Sequence, residues 1–329
     1  MDFVRVTPVS SGRALQRSAA IALLAMSQAC SGADEPAGPN SPFAPPQLPA
    51  RAVFPADNAW NIAIAADSVD PNSDSLIAAC GASRELHPDF GTRYAGAPWG
   101  IPFVTVSGSQ PRVPVTFGYD DESDPGPYPI PRDAPIEGGP AAGGDRHVLV
   151  VDVDDWRLYE LFDAHPVNGG ASWTAGSGAV FDLSSNALRP AGWTSADAAG
   201  LPVFAGLVRY HEVAQGVIRH ALRFTCPVTR RAYVPPARHW ASARTSANLP
   251  PMGMRVRLKA GVDIASFPAD VRVILTALKT YGMILADNGG GFYVSGAPDP
   301  RWNDDNIDTM KRLSGADFEV VLMRNVVTP

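Results

Sequence analysis

The chain has 329 residues, and its 27 Lys and Arg against 33 Asp and Glu give a net charge of −6. Hydrophobic residues make up 45% and charged residues 18%, which excludes a disordered chain, and the acidic balance excludes a general nucleic-acid binder. The 30 glycines and 32 prolines interrupt the sequence too often for long helices and predict many short strands joined by turns.

Residues 1–29 read as an export signal. Arg5, Arg13 and Arg17 supply a basic start, and Ser18 to Met26 is a short apolar run without an acidic residue. That run is too short to cross about 30 Å of hydrocarbon. Ala29-Cys30 places a small residue before a cysteine, as lipoprotein signals do, so Cys30 is a candidate lipidation site. Plain cleavage after Ala29 is the rival. Residues 30–51, rich in Pro, Gly, Ala and Ser, read as a flexible tether. Residues 52–329 then form a single β-rich domain. In an exported chain the remaining Cys80 and Cys226 are expected to form a disulfide, against the alternative of two buried thiols.

Ile101 to Ser107 and Val113 to Tyr119 are expected to be paired strands. His147 to Val153 is almost continuously apolar and predicts a buried central strand. Asp154-Asp155 and Arg157 to Ala164 complete a hairpin. A capping-box pattern at Thr194 and Asp197 predicts a short helix ending at Gly200. Val217 to Thr225 alternates, with His220 on the apolar face and Arg219 and Arg223 on the other. Met254 to Ala260 alternates likewise, with Arg255, Arg257 and Lys259 together. Val271, Ile274, Leu275 and Leu278 follow helical spacing between Pro268 and Gly282. Met283 to Asp287 reads as a strand, Phe292 to Ser295 as its return, and Asp305 to Leu313 as a short helix. The sum is a mainly β, α+β fold: a β-sandwich or open β-barrel-like core with a few peripheral helices.

No zinc-binding histidine pair, CxxC, GxSxG or phosphate loop occurs, so no motif names a reaction. The candidates are constellations. His147, His220 and His239 occupy apolar settings in which burial and a nearby carboxylate tune an imidazole for acid–base work. Asp145 and Glu212 each lie close to a histidine, and Glu160 adds a third carboxylate for acid and base roles in glycoside hydrolysis. Arg146, Arg219 and Arg223 are candidate substrate-binding residues. If the arginine-bearing strands were neighbours, they would form a cationic face for an acidic polysaccharide. Trp193, Tyr210 and Trp240, with Trp156, Trp173 and Trp302, offer flat faces for sugar rings. Each has a plainer reading: a hydrogen-bonded core histidine, a solvated charge, or an aromatic that pins a loop. No metal or cofactor is expected, although the oxygen-rich Asp287 to Gly291 and Asp299 to Asp305 segments are weak calcium candidates.

From about Ala52 onward the chain resembles a family of exported bacterial proteins to which no reaction is attached. The residues that carry the resemblance are Asp145 to Asp152, Leu158 to Leu161, Ser177 to Leu183, Gly192 to Pro202 and Ile218 to Thr225. It implies export and a common fold, and assigns no catalytic role. The expected function is that of an exported carbohydrate-active protein, a polysaccharide lyase or glycoside hydrolase. The alternatives are a non-catalytic surface lipoprotein that holds glycan or protein, and a hydrolase whose metal is held by the three histidines. Membrane contact is expected only through the lipid anchor.

Overall fold

The apolar run after His147 forms the strand that two hydrophobic clusters share. Leu149 and Val151 enter the larger cluster, and Val148 and Val150 enter the smaller one. A strand buried on both faces has no polar alternate positions, which is why this run reads as continuous rather than alternating. The computed structural model describes residue 46 and residues 48–329. Residues 1–29, read above as an export signal, Cys30 and most of the segment read as a tether lie outside the described residues.

Ten strands build the two larger sheets. In chain order they are β1 (His87–Asp89), β2 (Phe103–Val106), β3 (Val148–Asp152), β4 (Arg157–Phe162), β5 (Ser177–Asp182), β6 (Leu222–Cys226), β7 (Arg255–Leu258), β8 (Met283–Asn288), β9 (Tyr293–Ser295) and β10 (Phe318–Val320). The six-stranded sheet runs β1-β9-β6-β8-β7-β10 and curls as a half-barrel. The four-stranded sheet runs β5-β4-β3-β2. The larger cluster includes side chains from both sheets. The smaller one covers the opposite face of β3, with Tyr128 and Trp173. Helices are few and short, so the protein is mainly β with peripheral helices, as composition predicts.

The helix of Ala269–Thr280 turns Val271, Ile274, Leu275 and Leu278 inward. Gly282 follows it at φ +68°, where a Cβ would lie 2.2 Å from the Val256 carbonyl oxygen, so glycine is required there. Cys80 and Cys226 form a disulfide that ties the helix Ser73–Cys80 to the end of β6. No helix among the described residues is long and apolar enough to cross a membrane.

Four local expectations are corrected. The Ile101 to Ser107 and Val113 to Tyr119 segments do not pair. β2 lies parallel to β3, and Val115–Phe117 lies parallel to Ser172–Ala175. The strand around His220 begins only at Leu222, so Arg219 and His220 precede it. β9 does not return along β8; it pairs with β6 and β1. No helix forms at Thr194 to Gly200. The Ser195 hydroxyl donates to the Asp197 and Leu201 carbonyls, at 3.0 and 2.6 Å, and closes a tight loop instead.

Candidate functional site

Residues 194–206 bridge the two sheets, and Asp197 sits within that bridge. On the side of the four-stranded sheet, the Ser177 hydroxyl donates to the Ser195 carbonyl at 2.6 Å. His147, just before β3, places Nε2 2.9 Å from the Ala196 carbonyl. Glu160, on β4, accepts from the Val203 and Phe204 amides at 2.9 and 2.8 Å. On the side of the six-stranded sheet, the Ala199 amide donates to the Ala286 carbonyl at 3.0 Å. His239 holds the Ala198 carbonyl through Nδ1 at 2.9 Å. Two imidazoles from distant segments therefore grip the carbonyls on either side of Asp197.

A cavity of about 260 Å³ opens beside this loop. Its walls include Tyr119, Asp145, Thr194, Ser195, Asp197 and Asp287. Asp197 is 1% exposed, and its Oδ1 has no hydrogen-bond partner. Burial pushes its carboxyl up to about 7; Arg223 pulls down, and Asp287 adds to the rise. Asp287 ends the apolar run of β8 and is half-buried. Burial raises its carboxyl too, with Asp145 adding, while Arg223 and the Asn288 and Ala198 amides favour the charged form. The Asn288 amide donates to Asp287 Oδ1 at 2.6 Å. A carboxyl poised near neutrality beside a second, amide-held carboxylate is the arrangement that acid–base hydrolysis uses.

Behind the cavity lies a buried charged network. Arg223 is 4% exposed and donates from Nη1 to the Ser295 hydroxyl at 2.6 Å. His147 is 3% exposed, with Nδ1 2.6 Å from Glu137 Oε2. Burial alone would lower this imidazole, but Glu137 outweighs it and holds the pKa at about 9, so both ring nitrogens donate. Glu160 is fully buried, and burial pushes it up to about 7 against its two amide donors.

The predicted residues divide accordingly. Asp145 stands exposed at the cavity. His147, His239, Glu160 and Arg223 surround the Asp197 loop without lining the cavity, so they hold the loop rather than face a ligand. Trp193 is half-buried on the same loop, with the Arg189 guanidinium 5.6 Å from its ring. Trp240 stacks on His239 with centroids 5.0 Å apart. His220, Glu212 and Arg219 lie in a different cavity. Tyr210 packs edge-on against Trp302 at 4.9 Å.

Several expectations fail on geometry. Arg146 is buried and donates to the Pro140, Ala142 and Ala164 carbonyls, so it is a loop clamp and not a substrate contact. The cationic face does not form, because β8 separates β6 from β7. Arg255 is spent on the Ala59, Ile62 and Tyr281 carbonyls, and Arg257 on Glu319 and the Ile64 carbonyl. Trp156, Trp173 and Trp302 are buried, pinning loops rather than presenting faces. Among the described residues, no group of three or more His, Cys, Asp or Glu side chains is placed to hold a metal ion. In the calcium candidate segment, the Asp299 carboxylate is taken by Arg301 at 2.6 and 2.8 Å.

Sequence reasoning missed Asp197 and Glu137 as site residues and took Asp287 only for a calcium candidate. The usable signal was an isolated acid in an apolar setting: Asp197 among alanines and glycine, and Asp287 at the end of Met283 to Ala286. A larger cavity of about 570 Å³, lined in part by Asp67 and Arg255, has no such carboxyl pair. No protein-family model, curated protein or solved structure matches the chain, so the functional reading rests on these side chains alone.

Proposed function

We propose that the protein is an exported, carbohydrate-active hydrolase that cleaves a neutral polysaccharide, with Asp197 as general acid and Asp287 as its carboxylate partner. One observation carries the reading: Asp197, with its carboxyl pushed up to about 7 and one oxygen unpartnered, shares a cavity with Asp287. A neutral acid delivers a proton to the leaving oxygen, and an ionised carboxylate activates water or attacks the sugar. Tyr119, exposed at the cavity, adds a phenol hydroxyl suited to sugar hydroxyls.

A lyase has less support. Its chemistry needs a free cation beside the uronate carboxylate, and Arg223 is committed to Asp197 and Ser295. The carboxylate-lined cavity would also repel an acidic chain. A non-catalytic platform has less support because most of the indoles expected to form it are buried. A metal held by His147, His220 and His239 is disfavoured by geometry, since His147 and His239 bind main-chain carbonyls and His220 lies in another cavity.

The test is incubation of the purified chain with neutral and acidic polysaccharides, reading both reducing ends and unsaturated-uronate absorbance. Reducing ends should appear from a neutral polymer, and D197N or D287N should lower that rate by about 10²-fold to 10⁴-fold. Unsaturated uronate, or a rate unchanged in both variants, would overturn the assignment.

A further inference from the structure

A second cavity, of about 350 Å³, is built from other residues. One wall is Leu48 to Val53, where the Pro/Gly/Ala/Ser-rich segment meets the folded domain. Arg51, Arg209, His211, Glu212, Arg219 and His220 face the same space. Three arginines therefore surround a single carboxylate.

That carboxylate is already spent. Glu212 accepts from Arg209 Nη2 at 2.9 Å through Oε1, and its Oε2 lies 3.1 Å from His220 Nε2. Burial would raise its pKa, but Arg209 and His220 outweigh burial and hold it well below the usual range, so Glu212 is ionised. Arg209 is 1% exposed, donates from Nη1 to the Phe204 carbonyl at 2.6 Å, and keeps its Nε without a partner. Arg219 is exposed and forms no ion pair among the described residues. Arg51 lies over the Trp156 ring at 4.0 Å and likewise lacks a carboxylate. Trp60 and Trp156 back the walls but are buried, so what the cavity offers a ligand is two cations without a carboxylate partner.

We propose that this cavity recognises a sugar carboxylate, a uronic-acid unit, with Arg219 and Arg51 as the groups that pair with it. The volume suits one or two sugar rings, and guanidinium forks match a carboxylate. The cationic recognition that the β6 and β7 arginines do not provide is thereby supplied at a different place. The inference does not depend on the hydrolase reading, because the two cavities share no residue.

The experiment is a ligand-observed NMR titration of the purified chain with D-glucuronate, D-glucose and inorganic phosphate. Glucuronate should bind, and its affinity should fall as salt rises. Glucose and phosphate should bind at least about tenfold more weakly, and R219A and R51A should each weaken glucuronate by about tenfold. Arg219 and Arg51 are exposed, so both variants should melt as the parent does. D287N should leave glucuronate binding unchanged. Any of four results overturns the proposal: no glucuronate binding, phosphate binding as tight as glucuronate, unchanged binding in R219A and R51A, or loss of binding in D287N.

Discussion

Nε and Nη2 of Arg223 both lie 3.3 Å from the same oxygen of Asp197, Oδ2. These are long contacts for a charged pair. They leave the carboxyl neutralised from one side only, with Oδ1 free to carry a proton. Arg223 also opposes the raised carboxyls of Glu160 and Asp287. Replacing Arg223 by Met should therefore cost about 3 kcal/mol of stability, because buried carboxyls lose their one guanidinium. Urea unfolding measures it. A loss below about 0.5 kcal/mol would mean that the cluster does not depend on this cation.

The carboxyls set a pH dependence of known sign. Asp197 moves from 3.8 unfolded to about 7 folded. A carboxyl raised on folding favours the protonated state, so its contribution is full below about pH 4. It is lost as pH rises through about 7. Asn cannot ionise, so the stability of D197N relative to the parent should rise between pH 4 and pH 7 and level off above. Chemical denaturation across that range reads the difference directly. A difference that stays flat would place the Asp197 titration elsewhere.

The His147–Glu137 pair responds in the same direction but over a higher pH range. The imidazole is raised from 6.5 to about 9, so its stabilisation is complete below 6.5 and disappears as pH climbs through about 9. Glu137 is lowered from 4.5, so the pair also weakens as acid protonates it. E137Q should be least stable relative to the parent between about pH 5 and 6.5, and the two should converge near pH 10. The same variant should loosen the Ala196 carbonyl and, on the proposed hydrolase reading, reduce turnover without abolishing it, since His147 positions the Asp197 loop. A stability gap of equal size at pH 6 and pH 10 would show that the ion pair is not its source.

The disulfide closes a loop of 146 residues. Loop-closure entropy for that length gives about 5 kcal/mol, a ceiling that native strain and residual unfolded structure reduce. Replacing Cys80 and Cys226 by Ser should lower stability by about 3 to 5 kcal/mol, read by urea unfolding with the parent in oxidised and reduced forms. Reduction of the parent should reproduce the double variant; a large mismatch would assign the loss to packing.

Much of the scaffold was legible in the chain. Alternation and apolar runs located β3, β4, β7, β8 and the Ala269–Thr280 helix, because their side chains face a core on one or both sides. Pairing was not legible where strands meet across long sequence distances. β6 lies between β8 and β9, and nothing near Leu222 says so. Of the site, His147, His239, Glu160, Arg223 and Asp145 were recognisable as unusual residues in apolar surroundings. Their partners were not, because Glu137 comes from an irregular loop and Asp197 from a turn that imitates a helix cap. The arginines misled for a physical reason: alternation reports which face a side chain takes, not whether a carbonyl waits there.

The loop bearing Asp197 is stitched to one sheet by Ser177, His147 and Glu160, and to the other by Ala286 and Arg223. It therefore works as a strain gauge across the seam between the sheets. Sliding one layer against the other should therefore shift Asp197 before any strand separates. On the proposed hydrolase reading, heat or mild denaturant should abolish activity while circular dichroism still reads as native.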